Sequence, residues 1–460
     1  MRYILLLQIQ IEMKKFFITL SFIGLATSCS PEVTLSSSDL QEIADAAADA
    51  AADAASSAAS TAATNAVNAA FNAQDAANDA ANQPPATLEH EGLITGNETW
   101  AAATTHFLND KVVVADGAVL TIEPGTVIKG RASTTPEDAA ALVIARGGKI
   151  YANGTADNPI IFTSEQDNLN GNLTSEDKGL WGGIIMLGKA KISIEGDGDD
   201  LQIEGIPAED TFGLYGGNDD TDNSGVLKYI SIRHGGANIG EGNEINGFTC
   251  GGCGSGTSIS NIEVYANKDD GIEMFGGTAN ITNAIVWHVG DDSVDTDQAY
   301  SGTIDNVVII KNDDPNGAFN GDHGLELDGA EGAYQAANPT FHTIKNITYK
   351  GGSGEIADLR DGVRVKIQNL YAFGMGSSED IEIDEAVGKA NYDAGTIIFD
   401  DLELNDTRAA NAIVVDKSSG STVGISEDDI VTVTSQSSGQ GATTSVFSWT
   451  QASTSGVLDF

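Results

Sequence analysis

Three short segments repeat a pattern of carboxylates around one apolar residue: Asp269-Asp270-Gly271-Ile272-Glu273, Asp291-Asp292-Ser293-Val294-Asp295-Thr296-Asp297 and Asp322-His323-Gly324-Leu325-Glu326-Leu327-Asp328. If each is a strand, alternation turns Ile272, Val294 and Leu325 inward and Glu273, Asp295 and Glu326 outward in one column. Asp297 and Asp328 then stand beside that column, while Asp270, Asp292 and His323 form a second one at the preceding turn. Two carboxylates on strands about 4.8 Å apart repel by roughly 3.5 kcal/mol at an effective dielectric of 20. A bound cation, shared protons or side chains splayed into water would each relieve that repulsion. Calcium suits the first remedy because it takes about six to eight oxygen ligands. Glu273, Asp295, Asp297, Glu326 and Asp328 are therefore the candidate calcium ligands, with a solvated acidic face as the competing reading.

The elements that must position these groups announce themselves by repetition. Leu227-Lys228-Tyr229-Ile230-Ser231-Ile232 recurs at Ile259, Ile281, Ile304, Ile344 and Ile367, and the first residues lie 32, 22, 23, 40 and 23 apart. A coil of 22 or 23 residues with two insertions explains every interval, and Asn stands third in all copies but the first. Such a coil cannot bury its apolar face alone, so stacked coils must supply the core. The expected fold is mainly β, a right-handed parallel β-helix preceded by a long Ala-rich α-helix. A β-propeller needs blades of about 40 residues, which the spacing does not supply. Inserted loops are expected at 233–258 and 311–343, and Val446-Phe447-Ser448-Trp449 is expected to cap the last coil.

Ile122-Glu123-Pro124-Gly125-Thr126-Val127-Ile128-Lys129-Gly130, Gly179-Leu180-Trp181-Gly182-Gly183-Ile184-Ile185, Asp269-Asp270-Gly271-Ile272-Glu273 and Phe447-Ser448-Trp449-Thr450 resemble a family of marine bacterial surface lipoproteins with a pectin-lyase-like β-helix. The resemblance spans roughly residues 92–460 and implies fold and location, with no activity attached. Asp270-Gly271, Gly290-Asp291-Asp292, Gly321-Asp322-His323-Gly324 and Arg364-Val365-Lys366 also follow the order of the four motifs of polygalacturonase-type glycosidases. That second resemblance implies an inverting hydrolase. Asp291 would be its general acid, Asp270 and Asp292 would activate water, His323 would support them, and Arg364 with Lys366 would hold a sugar carboxylate. Lys268-Asp269 stands where those enzymes have Asn-Thr, and Asp322 replaces a Gly.

The remaining chemistry concerns location. With 67 Asp plus Glu against 23 Lys plus Arg, the formal net charge is −44, which excludes nucleic acid and anionic membrane surfaces as electrostatic partners. Met13-Lys14-Lys15 and the apolar run to Leu25 read as a secretory signal with Met13 as the true start, and no other stretch is long and apolar enough to span a bilayer. Leu25-Ala26-Thr27-Ser28-Cys29 resembles the lipobox of bacterial lipoproteins, which implies acylation of Cys29 and a membrane partner held through the lipid. The bacterial outer membrane, at the cell surface, is the expected location.

Ser38 to Gln83 is dominated by Ala, with Ser38 and Gln41 forming a capping box and Pro84-Pro85 a stop. Ala44, Ala48, Ala51, Ala55 and their successors recur at spacings of 4 and 3. The segment resembles the alanine-zipper helices of small outer-membrane lipoproteins, which implies a homotrimer, and a solvated monomeric spacer stays open beside it. The layout is thus a signal at 1–28, a lipidated tether at 29–37, a helical stalk at 38–83, a linker at 84–91 and the β-helix with its cap at 92–460. Cys250-Gly251-Gly252-Cys253 is expected to close a disulfide that staples a loop. Polysaccharide is the expected partner if the acidic face or its loops bind a macromolecule.

Overall fold

The computed structural model describes residues 86–460 except 134, 136–138, 195–199, 209, 241–242, 313–320 and 331–340, together with isolated positions between 36 and 69. The signal, Cys29 and most of the stalk lie outside the described residues. Ser38, Gln41, Glu42, Asp45, Ala66 and Ala69 are described there, each helical. The chain divides into two units at Pro84/Pro85, and the β-helix is the second. Among the described residues no helix is long and apolar enough to cross a membrane.

Twenty-five strands share one hydrogen-bonded sheet that winds into stacked coils. Each regular coil begins with a long strand, and Gly225–Arg233, Ser258–Tyr265, Asn280–Trp287, Thr303–Ile310, His342–Lys350, Val365–Phe373 and Ile397–Asn405 stack in parallel. A short strand follows, and Phe248–Gly251, Ile272–Phe275, Val294–Asp297, His323–Leu327, Glu355–Leu359, Ile381–Ile383 and Val414–Asp416 stack likewise. The long strand is bent at the repeated Asn, so three walls enclose the core. Ile, Val and Leu from every wall fill it: Ile259, Ile262 and Ile272 in one coil, Ile281, Ala284 and Val294 in the next.

The bend explains why Asn recurs. Asn261, Asn283, Asn306, Asn346 and Asn369 all have φ between 54° and 65°, the left-handed region that Asn tolerates better than other side chains with a Cβ. Asn283 donates to Asn261 (3.1 Å), Asn306 to Asn283 (2.8 Å) and Asn369 to Asn346 (2.8 Å), so each amide satisfies the coil beside it. Asn306 Oδ1 also accepts from the backbone of Thr443 (2.6 Å). Replacing Asn306 by Ala keeps the strained backbone and removes these bonds, so about 2–3 kcal/mol of stability should be lost. The shift of the urea midpoint measures it, and a loss under about 0.5 kcal/mol would show that the ladder contributes nothing.

Four expectations are corrected. Residues 86–91, read as linker, belong to the strand Ala86–Ile94, which pairs with Thr104–Val114 and thereby starts the first coil. Within the insertion at 233–258, Phe248–Gly251 is a strand of the third wall, so the extra length is confined to the stretch before it. Cys250 and Cys253 do form a disulfide, but both are fully buried in the main core and staple no surface loop. The segment around Phe447 does not close the last coil. It runs back along the outside of the middle coils, where Phe447 and Ala452 pack on Tyr265, Ile285, Trp287, Val308 and Ile310, because these outward side chains otherwise lack an apolar cover.

Candidate metal centre

The third wall positions the carboxylates, and its register shows a change of chemistry along one outward column. Val113, Val143, Ile185 and Thr249 lead into Glu273, Asp295, Glu326, Asp358 and Glu382, and Val415 follows. The apolar part is covered by a flap whose Ile192, Ile194, Ile203, Ile206, Tyr215 and Ile245 join Val113, Val143, Ile185 and Phe275 in a second cluster. The acidic part is not a solvated face, since Glu273, Asp295 and Asp358 are only 5%, 8% and 4% exposed. Stacking five carboxylates on adjacent rungs holds each against the next and restricts water between them.

Counter-charges divide this column into two halves. Arg360 pairs with Glu326 and lies 3.0 Å from Asp328, and Lys417 pairs with Glu382 and lies 3.4 Å from Asp380. Asp270, Glu273 and Asp295 are in no ion pair among the described residues, yet their oxygens lie within 4.8 Å of one another. Asn246, two positions before the strand Phe248–Gly251, donates to Glu273 and leaves its own Oδ1 buried without a partner, as is Asp295 Oδ1. Four oxygen-bearing side chains from three successive rungs thus crowd together with two acceptors unmet. Burial first, then neighbouring carboxylates, push Asp270, Glu273 and Asp295 well above the usual carboxylate range.

The residues expected to bind calcium are only partly brought together. Glu273 and Asp295 come together, and Asp270, expected in the turn column, joins them. Glu326 and Asp328 are held by Arg360 instead, and Asp297 accepts the backbone N–H of Gln298 (2.5 Å) at the strand end. Sequence reasoning missed Asn246, Glu355, Asp358, Arg360 and Glu382. Asp358 and Glu382 were detectable as outward positions between core residues Ala357 and Leu359 and between Ile381 and Ile383.

Asp292 and His323 pair at the edge of the wall. The imidazole Nδ1–H and the backbone N–H of His323 both donate to Asp292 Oδ1, at 2.9 and 2.5 Å. Burial disfavours both charges, but these bonds outweigh it, holding Asp292 down at about 2 and pushing His323 up to about 11. Asp270 accepts the backbone N–H of Asp292 (2.9 Å), while Asp291 is pushed up to about 6 by burial and then by Asp292. The two basic residues of the glycosidase pattern lie elsewhere. Lys366 is the second residue of the long strand Val365–Phe373 and pairs with Asp400 (2.5 Å), and Arg364 lines a small pocket with Tyr300, Asp328 and His342 at the opposite end of the third-wall strands.

The stacked walls are those of a parallel β-helix, and comparison with known families decides the kinship. The family described as pectate-lyase-like beta helix domain matches residues 92–454. The chain belongs to that family. No curated protein and no solved structure matches it.

Raised carboxylates make the metal-free protein sensitive to base. Burial first pushes Asp358 up to about 7, Asp269 to about 8 and Glu326 to about 9, all above their unfolded values near 4. Their contribution is complete below about pH 4 and is lost as pH rises through the folded values; His323, raised as well, changes in the same sense above about pH 6.5. Lys311, lowered by burial to about 8, opposes them only above that pH. His288 and His342, lowered by burial to about 4 and 3, lose stability only as pH falls below about 6.5. In EDTA the unfolding free energy should fall by about 3 kcal/mol from pH 7 to pH 9, and denaturant titration at fixed ionic strength measures it.

Proposed function

We propose that this protein is a lipid-anchored cell-surface binding protein whose third wall takes up calcium. The observation that carries the reading is the group Asp270, Glu273 and Asp295, buried together without a counter-cation, beside the unpartnered oxygens of Asn246 and Asp295. Calcium is favoured because every donor in this group is a hard oxygen and the ion accepts irregular geometry. Acyl Cys29 after cleavage of 1–28 would supply the anchor at the outer membrane, and the Ala-rich segment would raise the β-helix from it, as a trimer if its seam pairs. Hydroxyl-rich glycans would be the macromolecular partner of the calcium-loaded protein. A hydrolytic role draws no support from the site, because Arg364 and Lys366 are remote from Asp291, Asp292 and His323.

Isothermal titration of the EDTA-stripped mature chain with calcium tests the reading. Saturable uptake that Asp295→Asn weakens by about 100-fold or more is expected. Absence of heat and of competition with a calcium-sensitive dye would remove it. Reducing-end release from neutral and acidic polysaccharides in calcium, abolished in an Asp291→Asn, Asp292→Asn variant, would restore the hydrolytic alternative.

A further inference from the structure

On the next two rungs beyond that calcium group, the donors change in kind. His323 and Glu355 are direct partners on adjacent strands, and Asp358 lies three residues on from Glu355 in the same strand. The imidazole Nε2 is 3.5 Å from Glu355 Oε2 and 3.9 Å from Asp358 Oδ2, and the three donor atoms lie within 4.8 Å of one another. Two ligands about 2.1 Å from a tetrahedral ion stand about 3.4 Å apart, so the Nε2 to Glu355 separation already matches one edge of such a shell.

Two further observations separate this group from a chance acidic cluster. Asp358 is 4% exposed and its Oδ1 has no partner, although Arg360 stands 3.7 Å from its other oxygen. On the far side of the ring, Asp292 accepts the Nδ1–H at 2.9 Å, which fixes the ring and turns Nε2 toward Glu355 and Asp358. A carboxylate behind a histidine is the arrangement that orients metal-ligating imidazoles and raises their basicity. Glu355 is 27% exposed in its side chain, which leaves a path from solvent.

We propose that His323 Nε2, Glu355 and Asp358 form a site for a divalent transition metal of zinc type, with Asp292 as its positioning residue and solvent in the open coordination position. The proposal extends the reading of this wall as cation-binding but assigns a second site and a different ion. Imidazole suits zinc and its neighbours, whereas calcium gains little from a nitrogen donor. Zinc binding displaces the proton from Nε2 to solvent, and no redox step is involved.

The test loads the full mature chain with one equivalent of zinc in 2 mM calcium and measures retained metal against a competing chelator. One zinc per chain should be retained. His323→Gln and Asp358→Asn should each weaken retention by about 100-fold or more, and Asp292→Asn by about 10–100-fold. The Glu273→Gln, Asp295→Asn pair should leave zinc retention unchanged while abolishing calcium uptake. Cobalt bound to the unaltered chain should show the intensified visible bands of four- or five-coordination, a readout that needs no variant. Zinc retention unchanged in His323→Gln and Asp358→Asn, displacement of zinc by calcium, or a cobalt spectrum like that of the hexaaqua ion would overturn the proposal. Calcium uptake failing while zinc holds would sink the earlier reading alone.

Discussion

Exchanging Glu273 for Gln and Asp295 for Asn together should raise the unfolding temperature of the metal-free protein at pH 8, and the same exchange should abolish the gain expected from calcium in the unaltered chain. The two carboxyls are direct cross-strand partners, and both are nearly buried. At about 4.8 Å their repulsion, if both ionise, is roughly 3.5 kcal/mol at an effective dielectric of 20. Sharing a proton relieves part of it, so removing both charges should stabilise the metal-free protein by about 2 kcal/mol. Calcium at 100 times its dissociation constant should stabilise the unaltered chain by about 2.7 kcal/mol and the double variant not at all. The two proteins therefore exchange rank when EDTA is replaced by calcium. Scanning calorimetry in both buffers reads the exchange, and a double variant less stable than the parent in EDTA would show that the pair is satisfied without a cation.

Replacing Glu263 by Ala should cost about 3–5 kcal/mol and release the C-terminal segment. Glu263 is fully buried, accepts from Ser231 Oγ (2.7 Å) and Trp287 Nε1 (3.1 Å), and receives the backbone N–H groups of Gln451 (3.1 Å) and Ala452 (2.9 Å). Arg233 lies 3.9 Å away as its counter-charge. Alanine leaves four donors without their acceptor and removes the carboxylate facing Arg233, which is costlier than the net worth of the bonds themselves. Phe447 and Ala452 would then leave Tyr265, Ile285, Trp287 and Val308 uncovered. Proteolysis confined to residues 434–450, with a red shift of Trp287 emission, is the expected pattern. Glu263→Gln, which keeps the volume and one acceptor, should lose less than half as much. Unchanged proteolysis in the Ala variant would mean that packing alone holds the segment.

The coils were legible because their signal is local and periodic: an apolar triplet, an Asn and a turn, every 22 or 23 residues. The alternation that turns Ile272, Val294 and Leu325 inward and Glu273, Asp295 and Glu326 outward was legible for the same reason, and the register places them so. What was not legible is whatever depends on a third body. Nothing near Glu326 or Asp328 shows that Arg360, a coil away, neutralises them. Nothing in Asn246 distinguishes it from other loop amides until the rung beside it brings Glu273 within reach. The strand Glu355–Leu359 lacks the Asp-Asp or Asp-His lead of the three segments before it, so its carboxylates escaped notice although their spacing was correct. Burial of the acidic column was likewise hidden, because five outward carboxylates read as a wet surface until their stacking is seen.

The bonds from Gln451 and Ala452 to Glu263 join residues 188 and 189 positions apart. Coils can stack one after another as a chain emerges, but the flank around Tyr265 and Trp287 stays open until residues 442–458 are available. A chain that stops short can thus wind its coils and still present a sticky aromatic strip, which marks it as incomplete to any chaperone or protease that samples exposed apolar surface. The segment that closes the flank makes its own synthesis a condition for concealment.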